Sequence, residues 1–263
     1  MKVLLVGNGG REHAIARALV RTSTPEHPVA LVVQAGNPAL EQLGRSLTLD
    51  PMDPGDVVRR ATSENVDLVV VGPEAPLVAG VADAVLDYGI PVFGPTKGAA
   101  RLEASKSFAK EIMADAGVAT ARSFTCTTME EVSAAFDELG APHVVKDDAL
   151  AAGKGVVVTS DREEASAHAR ACLARDGGAV VVEEYLDGPE VSLFCVADGE
   201  TVVPLQPAQD FKRVGDGNEG PNTGGMGAYS PLPWLPEEAT QRIVDEVARP
   251  VITEMARRGT PFR

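Results

Sequence analysis

A strand, a glycine-rich turn and the start of a helix follow one another in Lys2-Val3-Leu4-Leu5-Val6-Gly7-Asn8-Gly9-Gly10-Arg11-Glu12-His13. The apolar run without polar alternation is typical of a strand that is buried on both faces of a parallel sheet. The glycines leave backbone N–H groups exposed at the N-terminus of the following helix, where they favour an anion. The stretch therefore predicts the first βα unit of an α/β domain, with a small anionic ligand at its turn.

The glycine turn superficially matches the G-x-G-x-x-G motif of dinucleotide-binding folds. The third glycine of that motif is replaced by Glu12, and the second predicted strand ends in Gln34 rather than in an acidic residue that binds a ribose hydroxyl. These departures favour a single phosphate, with Arg11 as a further donor, over a dinucleotide. A purely conformational role of the glycines, in a tight turn, is the alternative.

Short apolar runs alternate with helical segments through the first part of the chain. Strands are predicted at residues 3–6, 29–33, 67–71 and 91–93, and a helix at residues 12–20. Such alternation indicates βαβ units on a parallel sheet. Because the ligand crevice of such sheets lies beyond the carboxyl ends of the strands, Gly72-Pro73-Glu74 and Gly94-Pro95-Thr96 are expected to form the walls of a site.

A helix predicted at residues 98–116 leads from this domain to a smaller α+β unit. Strands are predicted in that unit at residues 123–125, 143–146, 155–158 and 179–183. Two capping boxes, Thr128 with Glu131 and Ser160 with Glu163, indicate where its helices begin. Beyond it we expect strands at residues 191–196 and 201–205, a polar glycine-rich stretch without regular structure at residues 209–229, and a helix at residues 236–258.

The composition argues against several classes of protein. A formal net charge of -14 is unsuited to nucleic acid, which needs a broad basic face. No window holds the roughly 20 uninterrupted apolar residues of a membrane span. Cys126, Cys172 and Cys195 are odd in number and lie in apolar stretches, so we expect reduced core residues. The histidines share no spacing that is typical of metal ligands. A soluble, cytoplasmic protein is expected.

A lysine-flanked loop is the strongest candidate for phosphate chemistry. Lys146 ends a predicted strand, and Leu150-Ala151-Ala152-Gly153-Lys154-Gly155-Val156 leads into the next. Small residues permit close backbone approach to a polyphosphate, and ammonium groups neutralise charge that develops during phosphoryl transfer. The loop is not a Walker motif, because Lys154 is followed by glycine rather than by serine or threonine. A plain hairpin with an exposed lysine is the alternative.

Two polar stretches are weaker candidates. The acidic segment at residues 183–190 could bind an adenine amino group and ribose hydroxyls, with Leu186 packed on the base, or could be a solvated acidic turn. Residues 209–213 and 220–229 combine an aspartate, two cations and an Asn-Thr-Gly run. They could bind a polar metabolite or form a flexible surface loop.

Taken in order, these motifs resemble those of the glycinamide ribonucleotide synthetases, which are phosphoribosylamine–glycine ligases of the ATP-grasp superfamily. The resemblance runs over essentially the whole chain. It is carried by residues 7–13, 71–77, 105–110, 150–156, 183–190 and 220–231.

The fold that the resemblance implies is an α/β protein. An N-terminal parallel-sheet domain of the Rossmann-like, pre-ATP-grasp type would be followed by an ATP-grasp α+β lid and an incomplete central ATP-grasp domain. The expected boundaries are 1–100 for the N-terminal substrate-phosphate domain, 101–117 for a connecting helix, 118–188 for the lid and 189–263 for the start of the central domain.

The resemblance also implies roles for individual residues. Contacts with the ATP phosphates are implied for Lys106, Lys146, Leu150, Ala151, Ala152, Gly153, Lys154, Gly155 and Val156, and contacts with adenosine for Glu183, Glu184, Leu186 and Glu190. Binding of phosphoribosylamine is implied for Gly9, Gly10, Glu74, Asp210, Asn222, Thr223 and Gly224. Catalytic roles are implied for Lys106, Lys146, Lys154, Asp210 and Lys212.

The implied reaction joins glycine to 5-phospho-ribosylamine in de novo purine biosynthesis. ATP is hydrolysed to ADP and phosphate through a glycyl phosphate, with Mg²⁺ (or Mn²⁺) as the metal. The expected partners are these small molecules, without nucleic acid or membrane, and the protein is expected to be a monomer. Acyl phosphate chemistry needs charge neutralisation and exclusion of water more than a protein nucleophile.

Two departures from the family pattern bear on these expectations. Ala149 stands where the family usually has glycine, which would strain the loop if the position needs a positive φ. The sequence also stops at Arg263, before the strands that carry the family's Glu and Asn magnesium ligands and an Arg for the glycine carboxylate, so no metal ligand is expected in this chain. The alternatives are an inactive nucleotide-binding fragment and another ATP-grasp carboxylate–amine ligase.

Overall fold

The chain folds into two compact units. A computed structural model describes residues 1–150 and 155–263, without the side chains of residues 218, 221 and 222. One unit comprises Met1–Arg101 with Thr260–Arg263, and the other comprises Leu102–Gly259. The predicted α/β class, with a parallel sheet at the N-terminus, is confirmed.

The first unit is built on a five-stranded parallel sheet with the order β3-β2-β1-β4-β5. Its strands are β1 Lys2–Val6, β2 Ala30–Gln34, β3 Arg45–Leu47, β4 Leu68–Val71 and β5 Val92–Phe93. The central strand is buried on both faces, since Val3 and Leu5 pack into one core and Leu4 and Val6 into the other. The edge strand β3 was not predicted, because it is only three residues long and largely exposed.

Helices cover the sheet of the first unit and connect its strands. They are α1 Gly10–Arg21, α2 Pro38–Glu41, α3 Pro54–Ser63, α4 Glu74–Ala79 and α5 Val81–Asp87, followed by α6 Lys97–Ala104. Proline near the start of α2 and α3 is compatible with the first helical turn, where its missing N–H is not needed. Asn37 and Asp53 cap these two helices with their side chains.

The single helix predicted at residues 98–116 is wrong. The chain forms α6 and then a separate helix, α7 Lys106–Asp115. Ser105 has an extended backbone with φ -137° and ψ 118°, and its hydroxyl accepts the N–H of Phe108. Serine is a favoured N-cap because it satisfies an N–H that has no partner within the helix. The apolar spacing continues across Ser105 and hides this break.

The second unit contains a four-stranded antiparallel sheet with the order β6-β9-β7-β8. The strands are β6 Ser123–Cys126, β7 His143–Asp147, β8 Val156–Thr159 and β9 Val180–Glu183, and the helices between them are α8 Met129–Leu139 and α9 Arg162–Leu173. The capping box of Thr128 and Glu131 is confirmed. The second capping box is wrong, because Asp161 rather than Ser160 is the N-cap of α9.

The expectation of a structureless stretch at residues 209–229 is also wrong. After the pair β10 Cys195–Ala197 and β11 Val202–Pro204, the chain forms the antiparallel strands β12 Gln209–Gly215 and β13 Glu219–Tyr229 around a 3₁₀ turn. Two register shifts and the positive φ of Gly220 let this glycine-rich segment pair. Glycine has low strand propensity, which is why the pattern did not predict strands.

The final helix is interrupted by a π-helical segment. It consists of α10 Ala239–Ile243, the π segment Val244–Ala248 and α11 Arg249–Arg257. Pro250 lies in the first turn of α11 and has no N–H, so the preceding turn widens instead of clashing with its ring. Within the described part of the chain, no helix is both long and apolar enough to span a membrane.

Candidate functional site

In the first unit, the turn after β1 is filled by the side chain of Glu12. This carboxylate is 4% exposed and accepts the N–H of Gly9 at 2.6 Å. A Cβ on Gly7 or on Gly72 would overlap Glu12, so both glycines are required for its burial. The N–H of Gly7 donates to Gln34 Oε1 at 2.8 Å. Two N–H groups of the turn are therefore used within the unit, and a phosphate would meet the exposed start of α1 at Gly10.

Arg11 and Glu74 come together at the carboxyl ends of β1 and β4. Arg11 donates to the carbonyl of Gly72 at 3.2 Å, and its Nη2 lies 3.5 Å from Glu74 Oε2. The Arg11 side chain is 63% exposed. Gly9, Gly10 and Glu74, which the sequence assigned to phosphoribosylamine, thus share one edge of the sheet.

In the second unit, a buried carboxylate lies between two lysines. Glu183 ends β9, and its side chain is 5% exposed. Its Oε2 lies 2.6 Å from Nζ of Lys110 on α7, and its Oε1 pairs with Nζ of Lys146 on β7. Lys146 and Glu183 lie on the same face of neighbouring antiparallel strands, because Lys146 is paired with Val181 in the register.

The electrostatics of this cluster favour ionised Glu183. Burial raises the pKa of the Glu183 carboxyl. Hydrogen bonds and charges from Lys110 and Lys146 lower this pKa by more, so that it lies below its ordinary value. One carboxylate with two ammonium groups carries a net positive charge. An anion approaching Lys146 would therefore meet a positive field in an otherwise acidic protein.

The beginning of the loop after β7 is bound to the N-terminus of α7. Asp148 accepts the Ser107 N–H at 2.6 Å, the Ser107 hydroxyl at 2.7 Å and the Ser105 hydroxyl at 3.1 Å. Lys106 donates to the carbonyl of Ala149 at 3.1 Å. Two of the lysines that the sequence assigned to phosphate, Lys106 and Lys146, thus flank the start of this loop.

The two ends of the loop are also fixed by the backbone. Asp147 N–H donates to Gly155 O at 2.8 Å, and Asp148 N–H donates to Ala179 O at 3.0 Å. Asp147, which is buried, pairs with Arg175. Leu150, Gly155 and Val156 lie at these ends, whereas Ala151, Ala152, Gly153 and Lys154 fall outside the described residues.

The expected strain at Ala149 is not found. In the described ranges, the non-glycine residue with positive φ is Asn65 rather than Ala149. A residue with a Cβ is therefore accommodated at this position without a left-handed backbone.

The residues that the sequence assigned to adenosine are Glu183 at the end of β9 and three residues of the segment that follows it. Glu184 pairs with Arg122, whose Nε lies 3.1 Å from Glu184 Oε2. Leu186 is 66% exposed and is available to an apolar ligand face. Glu190 pairs with Lys212 at 2.8 Å. The apolar contact proposed for Leu186 is thus sterically open, while the two carboxylates already have cationic partners.

Asp210, Lys212 and Thr223 lie together on the pair β12–β13. Lys212 Nζ is 3.7 Å from Asp210 Oδ1, and the Thr223 hydroxyl donates to Lys212 O at 2.8 Å. Burial lowers the pKa of Lys212, but Glu190 and then Asp210 raise it above its ordinary value. Gly224 is exposed beside them, and the side chain of Asn222 is outside the described set.

Sequence reasoning missed three residues of the second unit: Lys110, Arg122 and Asp148. Lys110 lies one helical turn after Lys106, so the i, i+4 spacing was a usable signal. Arg122 and Asp148 depend on contacts between segments that are distant in sequence. As to metals, the described side chains form no group of three or more His, Cys, Asp or Glu that could hold an ion.

Comparison with known families covers the whole chain. Residues 1–103 match the phosphoribosylglycinamide synthetase N domain, and residues 104–263 match the phosphoribosylglycinamide synthetase ATP-grasp (A) domain. The chain belongs to the phosphoribosylglycinamide synthetase family. The resemblance stated from the sequence motifs is thereby confirmed.

Individual members of this family are similar along the entire chain. A phosphoribosylamine–glycine ligase from Streptomyces coelicolor is 59% identical over 100% of this chain and 61% of its own length. A crystal structure of the enzyme of that name from Thermotoga maritima has a TM-score of 0.83 and 29% identity, covering 100% of this chain and 63% of that one. The chain thus spans about three fifths of the length of the relatives that it matches.

A more distant structure shares the fold alone. The biotin carboxylase domain of Hydrogenobacter thermophilus 2-oxoglutarate carboxylase, solved with MgADP, has a TM-score of 0.75 at 18% identity, covering 96% of this chain and 58% of that one.

Proposed function

We propose that the chain carries the phosphoribosylamine and ATP sites of a phosphoribosylamine–glycine ligase. The reaction is the ATP-dependent ligation of glycine to 5-phospho-ribosylamine, which gives glycinamide ribonucleotide, ADP and phosphate in purine biosynthesis. Family membership over both domains supports this reaction.

The observation that carries the proposal is the pair of lysines at the start of the loop after β7. Lys146 is placed at the end of the strand by Glu183, and Lys106 contacts the carbonyl of Ala149. Phosphoryl transfer requires positioning and charge neutralisation rather than a covalent protein group, and these ammonium groups supply both. The loop residues 150–156, including Lys154, complete the proposed phosphate contacts.

The remaining assignments follow the resemblance to the family. Adenosine would lie along Glu183, Glu184, Leu186 and Glu190, with the exposed Leu186 against the base. In the first unit, Gly9, Gly10 and Glu74 are proposed contacts of phosphoribosylamine. In the second unit, the same role is proposed for Asp210, Asn222, Thr223 and Gly224. Lys212 would act in catalysis beside Asp210. Each of these roles is part of the proposal.

ATP would be bound together with Mg²⁺ or Mn²⁺, which would neutralise phosphate charge. The described side chains form no metal-binding group, so no residue of this chain is assigned to the ion. The proposed substrates are small molecules, and the chain is proposed to act as a cytoplasmic monomer.

The proposal is tested by product formation. Purified protein is incubated with Mg-ATP, glycine and freshly generated phosphoribosylamine, and glycinamide ribonucleotide is measured by mass spectrometry with ADP by a coupled assay. The proposal predicts that ADP release requires both glycine and phosphoribosylamine. ADP release that proceeds with another carboxylate or amine, and not with this pair, would contradict it.

A further inference from the structure

Lys110 is held by more contacts than its neighbours in the charged cluster of the second unit. Its ammonium lies 2.6 Å from Glu183 Oε2 and donates to the hydroxyl of Thr120 at 2.8 Å and to the carbonyl of Ala121 at 2.9 Å. An ammonium has three N–H donors, so these three acceptors satisfy it completely. The side chain of Lys110 is 15% exposed and has no donor left for a ligand.

The charges of the cluster are unequally exposed. Glu183 is 5% exposed, Lys110 is 15% exposed and Lys146 is 34% exposed. Lys110, the more buried of the two lysines, compensates the charge of the Glu183 carboxylate. The excess positive charge of the cluster therefore lies on the more exposed lysine, Lys146. Without Lys110, the same carboxylate would neutralise Lys146 instead.

We propose that Lys110 is a positioning residue for nucleotide binding: by compensating Glu183, it leaves the charge of Lys146 available to the phosphates of the nucleotide. This inference rests on the proposed ATP site. Lys110, whose three N–H donors are all used, would affect phosphate recognition through Glu183 and would not contact the nucleotide. A merely structural role, in which Lys110 only fastens α7 to β9, makes different predictions.

The experiment compares nucleotides that differ in their number of phosphates. Dissociation constants of ATP, ADP and adenosine are measured by calorimetry for the full chain and for Lys110→Met, Lys110→Arg and the double variant Lys110→Met/Glu183→Gln. The cluster carries a net charge of +1 in the unchanged chain, 0 in Lys110→Met and +1 again in Lys110→Arg and in the double variant. Arg170→Met, which removes an exposed cation from α9, is the control.

The deciding quantity is the preference for ATP over adenosine, which is the ratio of the dissociation constant of adenosine to that of ATP. Lys110→Met is expected to lower this preference about tenfold, the loss typical of a charge-assisted contact. Lys110→Arg and the double variant are expected to recover most of it, although the double variant restores none of the contacts of Lys110. Arg170→Met is expected to leave the preference unchanged.

Three outcomes would overturn the inference. Equal weakening of ATP and adenosine by Lys110→Met would indicate a structural role. A double variant that stays as poor as Lys110→Met would show that charge is not the cause, and this variant keeps the test valid if the single variant folds badly. ATP binding that no variant alters is the third outcome, and it contradicts the inference alone. A lack of ATP affinity in the unchanged chain would contradict the proposed function itself.

Discussion

At the scale of single residues, the second unit is organised by carboxylates that each accept from several donors. Glu183 joins α7 to two strands, and Asp148 joins the start of a loop to the N-terminus of α7. Buried or half-buried carboxylates of this kind are stabilised only when hydrogen bonds and opposite charges replace their hydration. Substitution of such a carboxylate is therefore expected to cost stability, and Asp148 allows this to be measured.

Asp148→Ala is expected to destabilise the second unit by about 1–3 kcal/mol, because Ser107 N–H and two hydroxyls lose their acceptor. Asp148→Asn retains one oxygen for the Ser107 N–H and is expected to cost less. Urea denaturation monitored by circular dichroism measures both. Asp176→Ala, at an exposed position, is the control. Equal stability of Asp148→Ala and Asp176→Ala would contradict the role of this contact.

His143 is expected to make stability depend on pH. Its ring is buried, Nδ1 has no hydrogen-bond partner among the described groups, and burial followed by the charge of Arg162 lowers its pKa. The unfolded chain binds a proton near pH 6.5 while the folded chain does not, so this contribution to stability is present above that pH. It is lost as the pH falls from there towards the lower folded-state pKa.

The measurement is the free energy of unfolding at pH 7.5 and 5.5. His143→Leu is expected to lose less stability between these values than the unchanged chain, whereas His27→Leu, at an exposed site, is expected to follow the unchanged chain. A pH dependence that His143→Leu leaves unaltered would rule out this histidine as its source.

At the scale of elements, the sequence predicted those segments whose local pattern and tertiary role agree. The β1 turn and α1, the four strands of the second sheet and the capping box at Thr128 could be predicted because periodicity and caps act locally. The break at Ser105 was hidden by continuous apolar spacing, and β12–β13 by their glycines. Phosphate contacts of Lys106 and Lys146 could be proposed from sequence motifs. The pairing of Lys110 with Glu183 could not, because it depends on how α7 packs on the sheet.

The packing of α11 on α7 provides a test at this scale. Arg258, in the turn that ends α11, donates to Glu254 at 2.8 Å and to Glu111 on α7 at 2.6 Å. Hydrogen bonds from Arg257 and then Arg258 lower the pKa of Glu254 to about 2. Arg258→Met is expected to lower the Tm by roughly 2–4 °C.

Differential scanning calorimetry measures this Tm. Arg249→Met, which breaks an exposed pair with Asp245 on the same helix, is expected to change the Tm by less, because exposed pairs contribute little. A larger loss in Arg249→Met than in Arg258→Met would show that the contact between the two helices is not the stabilising feature.

At the scale of the whole molecule, each of the two units contains residues of the proposed sites. The first provides a parallel sheet whose β1 and β4 edge brings the glycine turn beside Glu74, and the second provides the lysine cluster on an antiparallel sheet. The chain has a net charge of -14, so the anionic substrates proposed for it would be bound by local cations and backbone donors rather than by a general basic surface. The cluster at Glu183 is the clearest such place among the described residues.

The central claim is that Lys146 meets the phosphates of ATP, and calorimetric titration of ATP into the unchanged chain and into Lys146→Ala tests it most directly. Loss of a charge-assisted contact costs about 1.5–3 kcal/mol, which is roughly a 10- to 150-fold rise in Kd. Arg170→Ala, which removes an exposed cation, is expected to bind ATP like the unchanged chain. Unchanged ATP affinity in Lys146→Ala, or an equal loss in Arg170→Ala, would contradict the claim.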